Sequence, residues 1–252
     1  MLSPDHSLGV RDCQHARYSF LGFLALFLVR CLMPRASVFA VAMLLLLAAC
    51  AGRIPMGARN GSVGKTNDGC LIGGARLESN DDLLVLNADN CWGTPELVEL
   101  LQAAAHEMRA AYPEAPPLVV GDLSREGGGR LSPHESHQSG RDADVALYAT
   151  DNKTHKRFLD MTRGALDVPK TWSLIQTLLE KGHVQYILMD WEVQKLIYEE
   201  ISLFVPEQEL SRIFQYPRPR GARAGVIRHA AGHRDHMHIR IRCPAGDVYC
   251  TD

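Results

Sequence analysis

Apolar residues fall in two rhythms along this chain, short runs of β-type and longer stripes at helical spacing, and together they divide it into small elements. Cys70-Leu71-Ile72 and Leu83-Leu84-Val85-Leu86 read as extended segments. Thr94-Pro95-Glu96 supplies a capping hydroxyl, a first-turn proline and an acid at the positive helix end, which predicts a helix to about Ala111. Leu97, Leu101, Ala104 or Ala105, and Met108 share one face and belong to the core, whereas His106 is a surface position. Leu118 to Val120 is β-prone, and in Asp142 to Tyr148 the residues alternate. There Val145 and Leu147 turn one way and Asp142, Asp144 and Ala146 the other, so Asp144 points away from the core. Val168-Pro169 opens a helix carrying Trp172, Ile175 and Leu179, stopped by Lys181-Gly182. A strand over Val184 to Met189, a helix marked by Val193, Leu196, Ile197 and Ile201, a shorter helix over Pro206 to Phe214, a loop from Tyr216 to Arg223 and a last strand over Met237 to Arg242 complete the pattern.

The first fifty residues stand outside that pattern. Two apolar runs, Phe20 to Val29 and Val38 to Ala49, are each too short to span a bilayer. The second ends in Leu47-Ala48-Ala49-Cys50-Ala51-Gly52, which resembles a bacterial lipobox in which Cys50 is lipidated and becomes the mature N-terminus. Met33-Pro34-Arg35 offers a start residue and a positive segment at a suitable distance, so translation is expected to begin at Met33. A signal peptide cleaved near Ala49 and an uncleaved anchor are the plainer alternatives, and all three export the domain. Because Ala51 is not acidic, the expected home is the periplasm as an outer-membrane lipoprotein. Residues 1–50 are then a leader, 51–69 a Gly-, Arg-, Asn- and Ser-rich tether, and 70–252 the working domain.

At 252 residues and 46% hydrophobic content the chain can bury one sizeable core. A net charge of −2 with no long run of one sign argues against nucleic acid as a partner. Setting aside Cys13, Cys31 and Cys50 leaves Cys70, Cys91, Cys243 and Cys250. An even number outside the cytoplasm predicts disulfides, and the short loops favour Cys243–Cys250 and Cys70–Cys91.

The chemistry sits in two distant stretches. His134-Glu135-Ser136-His137-Gln138-Ser139-Gly140-Arg141-Asp142-Ala143-Asp144 sets two histidines and several carboxylates around a glycine, and His233-Arg234-Asp235-His236-Met237-His238 adds three more histidines. Residues two apart in a strand share a face, so His236 and His238 project together while Met237 and Ile239 turn inward. His238 with His137 and Asp144 makes two nitrogens and one carboxylate oxygen, a shell that suits zinc and leaves a position open for water. Arg240 continues the same face. The preceding Gly127-Gly128-Gly129 lacks the lysine of a phosphate loop and reads as a flexible loop over the cleft. Arg212, Arg218, Arg220, Arg223 and Arg228 read first as a solvated surface and, second, as contacts for acidic groups.

Ser136-His137-x-x-Gly140-x-Asp142-x-Asp144 together with Gly232-His233-x-x-His236-x-His238-x-Arg240 resembles the penicillin-insensitive murein endopeptidases, a branch of the LAS metallopeptidases. The likeness runs from Asn67-Asp68-Gly69-Cys70 and Trp92-Gly93-Thr94-Pro95 through Gly121-Asp122 to Arg242-Cys243-Pro244. It implies an α+β fold with a small antiparallel sheet and flanking helices, zinc held by His137, Asp144 and His238, and cleavage of D-alanyl-diaminopimelyl crosslinks in peptidoglycan. It also implies His236 as the base, with His233 as its partner. Asp235 is the competing base, by analogy with the D-alanyl-D-alanine dipeptidases. His134 matches a family histidine near the metal and reads as a substrate contact or a neighbour of the ligands, and Asp142 as a residue that orients them. For a second ion, Asp151 and His155 are counterparts by residue type only. Two other classes remain open at this level: a D-alanyl-D-alanine carboxypeptidase or dipeptidase on the same site, and a non-catalytic, zinc-stabilised wall-binding lipoprotein.

Overall fold

The computed structural model describes residues 60–252. Its main sheet has six strands in the order β4-β6-β7-β10-β8-β9. These are β4 (Leu83–Val85), β6 (Leu118–Val120), β7 (Asp142–Ala146), β8 (Val184–Met189), β9 (Ile227–His229) and β10 (His236–Ile241). The centre, β6-β7-β10-β8, is antiparallel as expected, but both edges differ, because β4 runs parallel to β6 and β9 parallel to β8. Two small additions lie before the first helix: a hairpin of β1 (Gly61–Lys65) with β2 (Asp68–Ile72), and a pair of β3 (Ala75–Arg76) with β5 (Trp92–Gly93).

The four α-helices among the described residues are α1 (Pro95–Ala111), α2 (Val168–Lys181), α3 (Trp191–Ile201) and α4 (Glu207–Ile213), all where the apolar spacing puts them. Thr94 caps α1, its hydroxyl accepting from Leu97 N at 3.4 Å, and Asp167 caps α2 by accepting from Lys170 N at 3.1 Å. Leu97, Leu101, Ala104 and Met108 of α1, with Leu174, Ile175 and Leu178 of α2, pack into one core with Ala143 and Val145 of β7, Ile187 and Met189 of β8, and Met237, Ile239 and Ile241 of β10. The alternate residues of those strands therefore emerge on the other face. Burying an inward Leu or Ile stabilises by roughly 1.5–3 kcal/mol, so the strand phase that exposes the polar face is firmly set.

Three expectations need correction. The tether does not reach residue 69, since Ser62, Val63 and Thr66 are buried in the β1–β2 hairpin and Gly64 bonds to the C-terminal tail. The loop reading missed the value of a closed hairpin to a chain whose own tail supplies its partner. The Cys70–Cys91 bridge is not formed either. Cys91 is a free buried thiol that donates to Gly121 O at 3.0 Å, and the backbones of Cys91 and Cys70 form separate β-bridges, with Ser124 and Gly128 respectively. Cys243–Cys250 is formed as predicted. Finally, the three-glycine run is packed in rather than flexible. Leu71 N donates to Gly127 O, Gly129 N donates to Gln138 O, and a Cβ on Gly128, at φ 68°, would stand 2.2 Å from Gln138 O. Cys50 and the leader reading fall outside the described residues.

Candidate metal centre

The register brings the two distant stretches together. His238 lies opposite Asp144, His236 opposite Ala146, and Arg240 opposite Asp142 on neighbouring antiparallel strands. His137 arrives from the loop before β7 with φ 65°, a left-handed conformation uncommon outside glycine, and its N–H donates to Asp142 Oδ2 at 2.9 Å. Gly140, at φ 72°, makes the turn between them, and a Cβ there would lie 2.8 Å from Leu71 Cδ1.

Three donor atoms meet at nearly equal spacing. His137 Nε2 is 3.1 Å from His238 Nδ1, His238 Nδ1 is 3.1 Å from Asp144 Oδ1, and His137 Nε2 is 3.3 Å from Asp144 Oδ1. A tetrahedral ion with bonds of about 2.0–2.1 Å has edges between its ligands of about 3.3–3.4 Å. The triangle is thus the size of one face of a zinc shell. His134, His137 and Asp144 form a second, looser group, with donor atoms all within 4.8 Å of one another. His134 Nδ1 stands 3.7 Å from Asp144 Oδ2, closer to the centre than a mere neighbour needs to be.

Outer partners orient the rings. Carbonyl and carboxylate oxygens only accept, so the nitrogen facing one must carry the hydrogen. His137 Nδ1–H donates to Leu123 O at 2.7 Å, His134 Nε2–H to Asp122 Oδ2 at 2.9 Å, His236 Nδ1–H to Asp235 Oδ1 at 2.6 Å and His233 Nδ1–H to Ala231 O at 3.1 Å. Each of these four rings, when neutral, is left with its other nitrogen as a lone pair. The Nε2 of His236 is 3.7 Å from Asp144 Oδ1, beside the triangle and outside it. Asp235 stands at the back of His236, on the side of the ring away from Nε2. Phe158 stacks on the His236 ring at 4.8 Å and 20°, and the absence of a side chain on Gly121 makes room for it.

The charges ask for a cation. Asp142 and Asp144 are both buried, and among the described residues the one permanently charged side chain paired with them is Arg240, its Nε donating to Asp142 Oδ1 at 2.6 Å. Burial pushes Asp144 up, but hydrogen bonds from His137 and His238 outweigh it and hold the carboxyl well below its usual range. Burial likewise opposes charge on His238, yet Asp142 and Asp144 raise its pKa to about 9. A proton on His238 therefore balances the second carboxylate in the free protein. A divalent cation would take the place of that proton. The Nε2 of His238 lies 3.2 Å from Asp142 Oδ1, off the line of a hydrogen bond and with no other partner.

A family profile described as penicillin-insensitive murein endopeptidase matches residues 62–252, the whole of both stretches. The chain belongs to that family. Penicillin-insensitive murein endopeptidases similar to it include one from Klebsiella pneumoniae subsp. pneumoniae, 28% identical over 212 residues that cover 79% of this chain and 72% of the relative. Another, from Haemophilus influenzae, is 27% identical over 205 residues, covering 75% and 66%, and one from Yersinia pestis bv. Antiqua is 30% identical over 217, covering 76% and 69%.

Sequence reasoning placed His137, Asp144, His236, His238, His233, Asp142 and Arg240 in one region, and the structure brings them together. Asp151 and His155 bond to each other at 3.0 Å on an exposed loop that lines a separate cavity with Pro116, Ala146 and Leu159. The residues missed were Leu123, Asp122 and Phe158. Asp122 stood in the quoted Gly121-Asp122 pair, whereas a carbonyl oxygen and a stacking ring leave no motif.

Proposed function

We propose that the chain is a zinc-dependent endopeptidase that hydrolyses D-alanyl-diaminopimelyl crosslinks in peptidoglycan, on a fold of the LAS type also found in the Hedgehog domain. The reading is carried by the near-equilateral triangle of His137 Nε2, His238 Nδ1 and Asp144 Oδ1, with edges of 3.1, 3.1 and 3.3 Å. His137, Asp144 and His238 would hold the zinc, which when bound would lower the pKa of a water to about 7 and polarise the scissile carbonyl. His236 Nε2 takes the proton of the attacking water, and Asp235 at its back stabilises the imidazolium. The same proton then passes from His236 to the departing amine. His233, which burial holds neutral, accepts a hydrogen bond across the cleft, its ring 4.9 Å from that of His236. His134 remains beside the ligands, its Nδ1 facing substrate or ion.

Digestion of purified crosslinked muropeptide dimers tests the reading. Monomers should appear with zinc, disappear with a chelator and return when zinc is restored. Release of free D-alanine with dimers left intact would assign the carboxypeptidase alternative. Binding to sacculi without turnover by zinc-loaded protein would assign the non-catalytic one. On the same reading the domain works in the periplasm, held to the outer membrane by a lipid on Cys50. Palmitate labelling should be lost in Cys50→Ser, and a label retained there removes the anchor.

A further inference from the structure

Of the five arginines between residues 212 and 228, four are held by protein groups or lie in solvent. Arg212 Nε donates to Gln208 O at 3.2 Å, Arg218 Nη1 to Ser211 O at 2.9 Å and Phe214 O at 3.0 Å, and Arg220 pairs with Glu192 at 3.0 Å. Arg223 is exposed. Arg228 is different. It is half-buried on β9 opposite Leu188 of β8, and Leu188 lies opposite His238. Residues facing one another across strands share a sheet face, so Arg228 stands on the face that carries the metal centre.

Its guanidinium is held in place without being neutralised. The Nε donates to Gly225 O at 3.1 Å, and the guanidinium carbon lies 5.1 Å from the centroid of the Tyr186 ring. Tyr186 is itself fixed, because its hydroxyl accepts from Arg240, whose charge is answered by Asp142. Among the described residues Arg228 has no carboxylate partner, and its two terminal nitrogens make no hydrogen bond. An oriented, half-buried guanidinium with both terminal nitrogens free matches a carboxylate, which it can engage bidentately. With strands spaced at about 4.8 Å, β9 lies about 10 Å from β10, or roughly three residues of extended peptide.

We propose that Arg228, seated on Tyr186, is a substrate-binding residue that recognises a free carboxylate of the peptide, within about three residues of the scissile bond. The proposal rests on the endopeptidase reading for its substrate and goes beyond it in naming the charged group that is read. Without this contact a carboxylate-bearing peptide would still meet the metal ligands but would lose its register along β8 and β9.

The test compares a synthetic crosslinked dimer with versions in which one carboxylate at a time is amidated, measured as kcat/KM on the zinc-loaded protein. For the wild type, one amide should cost about tenfold or more, the scale of a charged hydrogen bond. Arg228→Gln should lose a similar factor on the unmodified dimer and show no further loss with that amide. Arg228→Lys should recover part of the discrimination, and it carries the test if the glutamine variant differs from wild type in melting temperature or zinc content. Wild-type indifference to every amidation overturns the proposal, and so does an Arg228→Gln protein that still discriminates as the wild type does. If the wild type cuts no dimer, the endopeptidase reading fails, and calorimetry of a carboxylate peptide against its amide decides this proposal alone. Equal affinities sink it, and a tenfold preference abolished in Arg228→Gln upholds it.

Discussion

Asp142→Asn replaces one oxygen with an amide nitrogen at a residue buried between both ligand-bearing strands. The carboxylate now accepts from His137 N at 2.9 Å, from Arg240 Nε at 2.6 Å and from Arg240 Nη2 at 3.2 Å, with His238 Nε2 a further 3.2 Å contact. All four neighbours present hydrogens or positive charge. The asparagine keeps one accepting oxygen, so either the His137 backbone or Arg240 loses its acceptor, and the amide nitrogen has no acceptor to meet. A lost charge-assisted hydrogen bond is worth about 1.5–3 kcal/mol, and Arg240 is left buried beside a neutral group, so apo stability should fall by about 2–4 kcal/mol. Zinc affinity should weaken about 10- to 100-fold, since the negative charge beside His137 and His238 is gone and the asparagine cannot hold the His137 backbone and Arg240 as the carboxylate does. Urea denaturation in chelator gives the first quantity, and competition against a chromophoric chelator gives the second. Adding Arg240→Gln should return part of the lost stability, because the unpaired charge is then gone. An apo stability within about 0.5 kcal/mol of wild type, with zinc affinity within twofold, would refute the role assigned to Asp142.

Three further outcomes are expected. His238→Ala and Asp144→Ala should lose bound zinc, whereas His236→Ala should keep it and lose turnover by roughly a hundredfold or more; equal metal loss by elemental analysis in all three would make His236 a ligand. Gly140→Ala should destabilise by at least about 1–2 kcal/mol from the positive φ alone, with the Leu71 contact adding to it, and an unchanged melting temperature would contradict the turn described. Burial and the nearby Asp122 push the Cys91 thiol up to about 12 from 9.0, so above pH 9 the unfolded chain loses a proton that the folded one keeps. Stability should then fall by about 1.4 kcal/mol per pH unit between those values, in wild type relative to Cys91→Ala, and parallel pH profiles for the two proteins would exclude this.

The helices were legible because each announces itself locally. Thr94-Pro95 and Val168-Pro169 begin α1 and α2, and the apolar stripes of Leu97, Leu101 and Met108 or of Trp172 and Ile175 need no knowledge of their partners. The short pieces were not, since β3, β5 and β9 are two or three residues long and exist only through strands elsewhere in the chain. The same holds for the parallel edges of the sheet and for the part of the first hairpin at residues 61–69, which sequence reading took for a tether. Cys91 shows the limit of counting cysteines. Its environment, a carbonyl at Gly121 and an enclosing core, is a matter of where its segment packs and not of how many thiols remain.

For the centre itself, sequence alone determined the residue types and the strand phase. His236, His238 and Arg240 share a face because strands repeat every two residues, and Asp142 and Asp144 do so for the same reason. Only the tertiary structure decided which of these atoms converge. The register of β7 against β10 sets His238 opposite Asp144, the left-handed backbone at His137 swings a loop residue into the triangle, and Asp235 is turned to the back of His236. The carbonyl of Leu123, the ring of Phe158 and the unpaired guanidinium of Arg228 are likewise properties of packing. Local periodicity is written residue by residue, whereas the distance between two donor atoms about a hundred residues apart depends on every element folded between them.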